Sequence, residues 1–416
     1  MNITPAKPRL AVVSPFIDKR HGTERGVVEW LTRLSGEYEI HLYSQRVEDM
    51  DLSIFTWHRI PTLPGPHLVN YLWWFVANHF YRWKDRRFHG LRYDLVLTPG
   101  VNCLDADVVA VYIVFAEFYR QVREQLKFRS NPVRFWPRLL HRHIYYGLIK
   151  KLERKLYANP GNHLFVIARK TANDIKTFYH REDSFEVAYI GIDHATFNPA
   201  ARLARRRQMR EELGLPENGF VLLLIGNDYK KKGLQNVIEA LKKLNPLPIT
   251  LLVAGQDDRT PFLSKIHEYG LDGRIQFLPV RSDVIAYFGA ADVYIGPSLE
   301  DTFAFPPTEA LGTGLPVITT ATNGTSEIMT HGVDGFVLQD ATDVGAMADL
   351  IELLYRDPQL RQRIGEAAAA TAQQYTWDRS ACTVEAVLKE VLRTKMEQSK
   401  GNHCAAARPD YSDSQH

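Results

Sequence analysis

Residues 291–320 read ADVYIGPSLEDTFAFPPTEALGTGLPVITT, and this stretch decides the fold. Val293 to Ile295 is a short apolar run stopped by a Pro297-Ser298 turn, the pattern of a strand buried in a parallel sheet. A polar loop with Glu300 and Asp301 follows. Pro306-Pro307 then suit the first turn of a helix, where a missing N–H is no loss, and Gly312 or Gly314 ends it. Val317 to Thr319 begins the next strand. A helix starting just beyond a parallel strand presents unpaired N–H groups and a positive dipole end, which suit a diphosphate. Asp301 lies before this helix, and Glu309, after seven intervening residues, about one turn inside it. One carboxylate is placed for the hydroxyls of a sugar and the other for those of a ribose, with phosphates between.

The same alternation extends in both directions. Phe220 to Ile225, Ile249 to Ala254, Ile275 to Leu278 and Phe336 to Leu338 complete a second series of strands, separated by helical segments such as Leu234 to Leu244. Arg9 to Ser14, Ile40 to Tyr43, Leu95 to Thr98, Val108 to Ile113, Leu164 to Ile167 and Phe185 to Tyr189 form a first. Strands alternating with helices imply α/β units with parallel sheets covered on both faces. Two successive series predict two Rossmann-like βαβ domains facing an inter-domain cleft, with ligands at the carboxyl ends of the strands. The expected boundaries are 1–188 for an acceptor-side domain, 189–374 for a donor domain, 375–395 for a helix returning to the first domain, and 396–416 for a flexible tail.

Composition agrees with two globular cores: 416 residues, 45% hydrophobic and 24% charged. Fifty-one Lys and Arg against 48 Asp and Glu leave +3, too balanced for a nucleic-acid binder. The charge is unevenly spread, however. Residues 1–200 hold 28 basic and 20 acidic side chains, or +8, and the remainder 23 and 28, or −5. Cys103, Cys382 and Cys404 are too far apart for a disulfide framework or zinc cluster. No signal peptide is visible, and the longest apolar run, Leu68 to Ala77, falls short of the roughly 20 residues that span a bilayer. A cytoplasmic protein is expected.

The ordered motifs resemble the family 4 glycosyltransferases of the GT-B fold, retaining enzymes that move a sugar from a nucleotide donor. The parallels are Pro297-Ser298, Asp301 spaced from Glu309-Ala310, and Gly314-Leu315-Pro316-Val317, with Asp301 where the family has Glu and Glu300 one residue out of register. Ile225 to Gly233, IGNDYKKKG, resembles the loop that supplies cations to the diphosphate: Lys232 is present, Asn227 replaces the usual Arg, and Lys230 is the local substitute. The resemblance further implies donor contacts from Gly226, Gly255, Gln256, Pro279, Thr302, Phe303, Ala304 and Phe305, and from the Gly22-Thr23-Glu24 loop, where His21 replaces a Gly. Gly191-Ile192-Asp193 resembles the linker element. Within the family, Tyr229 to Gly233, Gly255-Gln256-Asp257 and Leu104 to Glu117 are similar to the glucosyltransferases of the lipopolysaccharide core, which implies UDP-glucose as donor and a glycolipid, lipopolysaccharide or polysaccharide precursor as acceptor.

The resemblance implies Asp301, Glu309, Lys230 and Lys232 as the catalytic set, acting by stabilising the departing diphosphate. It implies no metal and no cofactor beyond the nucleotide sugar. Asp105-Ala106-Asp107 is read as structural. Asp301 reads equally as a sugar contact or a helix cap, and Glu117 as an acceptor contact or a salt bridge. Residues 67–93 and 134–157 interleave aromatic and basic side chains and suggest either an anionic membrane surface or core helices with a solvated basic face. The leading expectation is a glycosyltransferase at the cytoplasmic membrane face. A soluble glycan synthase, a silent nucleotide-sugar-binding relative and an epimerase are the alternatives.

Overall fold

Each apolar run read as a strand lies in one of two parallel sheets. The computed structural model describes residues 7–406 apart from His21, 124–125 and 128–132, so the expectation for His21 lies outside the described residues. The chain divides into two compact units, one comprising residues up to Val166, Thr171–Ala188 and the chain from Ala381 onward, the other Ile167–Lys170 and Tyr189–Ser380.

In the first unit the strands are β1 (Arg9–Val13), β2 (Phe16–Ile17), β3 (Glu39–Ser44), β4 (Arg46–Val47), β5 (Thr56–Arg59), β6 (Leu95–Pro99), β7 (Val108–Val111), β8 (His163–Val166) and β9 (Glu186–Val187). The main sheet runs β5-β3-β1-β6-β7-β8-β9, every pair parallel, with β2 and β4 as a separate ribbon. Leu10 to Val13 and Val108 to Val111 are essentially without exposed surface, as expected of strands covered on both faces. The helices are α1 (Gly22–Leu34), α2 (His67–Phe88), α3 (Phe115–Val122), α4 (Trp136–Tyr157) and α5 (Arg169–Tyr179).

The second unit comprises α6 (Pro199–Glu212), β10 (Phe220–Ile225), α7 (Leu234–Lys243), β11 (Ile249–Ala254), α8 (Thr260–Glu268), β12 (Ile275–Leu278), α9 (Ile285–Ala290), β13 (Val293–Gly296), α10 (Phe305–Gly312), β14 (Val317–Thr320), β15 (Phe336–Leu338), α11 (Val344–Arg356) and α12 (Pro358–Ala372). Its sheet order, β12-β11-β10-β13-β14-β15, is the Rossmann order with its switch point between β10 and β13. Gly191 lets the linker lie against the start of α13 (Trp377–Ala406): a Cβ there would sit 2.3 Å from the Trp377 backbone nitrogen.

Three strands differ from expectation. β2 and β4 have only two residues each, and β5, Thr-Trp-His-Arg, is an edge strand with no apolar run to announce it. Helix α13 continues past Lys395 to Ala406 rather than giving way to a tail at residue 396. Arg393 pairs with Glu390 and Glu397 along it, the local support by which a helix with little to bury persists.

Candidate functional site

The loops after β10 and β13 flank the switch point of the second sheet and are tied together. Leu299 N–H donates to the Lys231 carbonyl at 2.8 Å. Gly233, with φ +79°, allows the first loop to pass under the second: a Cβ there would lie 2.2 Å from the Pro297 carbonyl oxygen. The Thr320 and Thr322 hydroxyls donate to the Ser298 carbonyl at 2.7 and 2.8 Å. Across this junction the Lys232 Nζ pairs with Asp301 Oδ2, and the Lys232 stem lies over Gly226, whose missing Cβ leaves it room.

The adjacent carboxylates point to different partners. Asp301 forms a parallel bridge with Asn323, and along extended backbone successive side chains face opposite ways. Asp301 therefore meets Lys232, while Glu300 pairs with Lys170 at 2.5 Å. Nor does Asp301 cap α10: the cap residue is Ala304, with no side-chain cap bond. Ala304 is held by Thr325, whose hydroxyl accepts from its N–H at 3.3 Å and donates to its carbonyl at 3.0 Å. That amide, expected to face the donor, is thus already engaged. Thr302 is fixed by its carbonyl's close approach to Gly324, and Phe303 is buried beside Tyr189. Phe305 opens α10 with its ring 6.1 Å from that of Trp377.

Glu309, 6% exposed, lies in the second turn of α10. It and Asp301 bear on the same buried phenol: burial foremost, then the charges of Asp301 and Glu309, push the Tyr294 hydroxyl far above its ordinary range. Lys232 lies beside Asp301, and Lys230 is exposed on the same loop.

Asn227, which stands in place of an arginine, has a different task. Its Oδ1 accepts from Gln256 N–H at 3.0 Å, and Asp257 Oδ2 accepts from Tyr229 N–H at 2.7 Å, so the loops after β10 and β11 are bonded to each other. Gly255 makes this approach possible, since a Cβ would lie 2.0 Å from the Gly226 carbonyl oxygen. Pro279, at the end of β12, offers a carbonyl that already accepts from the Tyr287 hydroxyl at 2.8 Å.

In the first unit Gly22 and Thr23 open α1. Thr23 lines a cavity of about 200 Å³ at the carboxyl ends of β6 and β7, together with Tyr71, Asn102, Tyr112, Tyr145 and Glu153. The Tyr112 hydroxyl is buried and without a hydrogen-bond partner among the described residues. Glu153 accepts from the Phe115 and Ala116 N–H groups at 2.7 and 3.0 Å and from Tyr179. Burial pushes its carboxyl up to about 7 despite these bonds. Sequence reasoning missed both residues, because nothing local marks a tyrosine or glutamate as facing a cavity. Glu117 is not among the lining residues; Arg120 holds it in a two-pronged pair, both contacts 2.6 Å.

The Asp-Ala-Asp segment is engaged structurally. Asp105 binds Arg82 through both oxygens, and Asp107 accepts from Val96 N–H and Lys395. Among the described residues no group of three or more His, Cys, Asp or Glu is gathered as a metal would require. The described part of the chain likewise has no helix long and apolar enough to cross a membrane.

Two parallel sheets, one in Rossmann order with a lysine-rich loop at its switch point, have the architecture of the GT-B fold. Residues 205–371 match the family described as Glycosyl transferases group 1. The chain is 34% identical over 208 residues to a D-inositol 3-phosphate glycosyltransferase of Pseudarthrobacter chlorophenolicus, a match covering 48% of each chain. The chain thus spans about half the length of the curated relatives it matches. Among solved structures it resembles WaaG, a glycosyltransferase involved in lipopolysaccharide biosynthesis, with a TM-score of 0.72 at 20% identity, covering 91% of this chain and 98% of that one. HepE of Anabaena, solved with UDP and glucose, gives 0.67 at 18% identity, covering 92% and 100%.

Proposed function

We propose that the protein is a retaining glycosyltransferase that moves a hexose, glucose from UDP-glucose, to a glycolipid, lipopolysaccharide or polysaccharide precursor at the cytoplasmic membrane face. The observation that carries this reading is the Lys232–Asp301 pair at the β10/β13 switch point, beside the start of the helix that bears Glu309. When the nucleoside diphosphate leaves, negative charge develops on its phosphates; Lys232, Lys230 and the first turn of α10 stabilise it. Asp301 takes sugar hydroxyls and Glu309 the ribose. Neutralisation by lysines asks for no divalent ion. The cavity beside Thr23 and Tyr112 supports an acceptor site in the first unit, with aromatic faces suited to a saccharide.

Membrane attachment is supported by α2. Val69, Leu72, Val76, Phe80 and Trp83 are all exposed and fall within an arc of about 80° at about 100° per residue, opposite the buried Trp74, Asn78 and Asp85. Lys84 and Arg86 flank the stripe and Arg87 closes its carboxyl end, whereas Arg82 is buried against Asp105 and contributes nothing to a basic face. On α4, Trp136, Leu140 and Ile144 are exposed among arginines. An apolar stripe edged by cations suits an anionic bilayer surface.

The test is to incubate purified protein with a panel of radiolabelled nucleotide sugars, with and without membrane extract and with EDTA. Transfer from UDP-glucose that survives EDTA is expected, with Lys232→Ala losing most of it. Failure to bind or turn over any donor would sink the enzyme reading.

A further inference from the structure

A second cavity, of about 440 Å³, lies at the opposite end of the donor-domain sheet, where Asp292 and Pro316 precede β13 and β14. Helix α6 lines it with Arg202 and Arg206, one turn apart, and α12 with Arg361. The carboxylate at its base is already committed: Asp292 Oδ1 accepts from Arg206 at 2.7 Å, and Oδ2 from Arg210 and the Val221 N–H, both at 2.8 Å. Arg361 spends one nitrogen on the Leu354 carbonyl and lies over the Phe220 ring. Arg202 has no such outlet. Its Nε is buried without a partner, and its guanidinium makes no hydrogen bond among the described residues.

A guanidinium that is withdrawn from water beside two others, with nothing accepting from it, is an unmet electrostatic demand. Burial and then the Arg206 charge lower its basicity to about 10. Arg202, Arg206 and Arg361 bring three positive charges to the lining, and Asp292 and the rim residue Glu366 return two. The lining keeps a positive surplus, which suits a phosphate group, for which the planar fork of arginine is the best-suited side chain.

We infer that this cavity is a phosphate-binding site, separate from the donor loops, in which Arg202, Arg206 and Arg361 hold the phosphate group of a small molecule. Pro199, Pro316 and Pro358 supply apolar wall for the remainder of that molecule. The wall also includes Gly314, which closes the helix carrying Glu309, so an occupant touches the frame of the donor site. The inference does not depend on the proposed activity, because it is read by binding alone.

The experiment is a thermal-shift and calorimetric titration of the full chain with inorganic phosphate, and separately with glycerol phosphate as a phosphate monoester, both in saturating UDP. A rise in melting temperature is expected for wild type. Arg202→Met should weaken phosphate affinity about tenfold or more, the loss of a charge-assisted bond, and leave UDP affinity unchanged. Arg361→Met should do the same, but because Arg361 also braces Leu354 and Phe220, Arg202→Met is the deciding variant. Tighter binding of the monoester would assign an organic phosphate, and equal binding free phosphate. No phosphate binding in wild type, or an unaltered titration in Arg202→Met, would overturn the inference.

Discussion

Gly233→Ala isolates the junction between the loops after β10 and β13, on which the proposed donor site rests. Two glycines of the second unit share the left-handed conformation but differ in surroundings: Gly233 has φ +79° with its Cβ position 2.2 Å from the Pro297 carbonyl oxygen, whereas Gly270 has φ +64° and nothing within 4 Å. Alanine at either position incurs the backbone penalty of about 1 kcal/mol. At 233 the carbonyl must also retreat by about 1 Å to reach ordinary contact, and overpacking of this kind adds roughly 1–3 kcal/mol. Because Pro297 leads directly to Asp301 and Gly233 follows Lys232, that retreat separates the ion pair, and a displacement of about 1 Å at such a site costs on the order of 100-fold in function. Urea denaturation should therefore show Gly270→Ala down by about 1 kcal/mol with UDP affinity intact. Gly233→Ala should be down by about 2–4 kcal/mol with UDP binding weakened 10- to 100-fold by calorimetry. Equal stability losses in the two variants, with UDP affinity preserved in both, would refute the view that this contact sets the loop spacing.

Other outcomes follow from the same geometry. Asp301→Asn should lower transfer by about 100-fold while Glu300→Gln, at the residue paired with Lys170 rather than Lys232, changes it little; the reverse ranking in a radiolabel assay would move the sugar contact by one residue. Glu153, raised to about 7 by burial, binds a proton in the folded state that the unfolded chain releases near 4.5. Its contribution is thus full below pH 4.5 and declines as pH rises toward 7, by at most about 3 kcal/mol. Glu153→Gln should flatten the difference in unfolding free energy between pH 5 and pH 8, and an unchanged slope would reject the shift. Val76→Glu and Phe80→Glu together should reduce sedimentation with anionic vesicles at least about tenfold with unchanged circular dichroism, and undiminished sedimentation would remove α2 from the membrane surface.

The strands of the second unit were legible almost to the residue because Phe220–Ile225 and Ile249–Ala254 are unbroken apolar runs between polar turns, and burial on both faces leaves no alternation to misread. β5 was not legible, since an edge strand reading Thr-Trp-His-Arg carries neither run nor period. In the candidate site, Lys232, Asp301 and Glu309 were placed by order and spacing. What spacing cannot carry is direction. Glu300 and Asp301 are chemically alike and adjacent, and only the bridge to Asn323 decides which faces Lys232. Asn227 read as a missing cation because its partner, the Gln256 amide, belongs to another strand's loop. The arginine cavity was hidden for the same reason: Arg202 and Arg206 meet Asp292 and Arg361 only when these distant positions are packed against α6.

The pairing of Lys232 with Asp301 neutralises both charges within the protein. Under the proposed geometry, a donor enters by ion exchange: its phosphates take the ammonium, and the displaced carboxylate needs new donors at once. Sugar hydroxyls supply them. A bare nucleoside diphosphate would strand Asp301, while a complete nucleotide sugar satisfies both halves of the broken pair, so one side-chain contact lets the site sense whether the leaving group still carries its cargo.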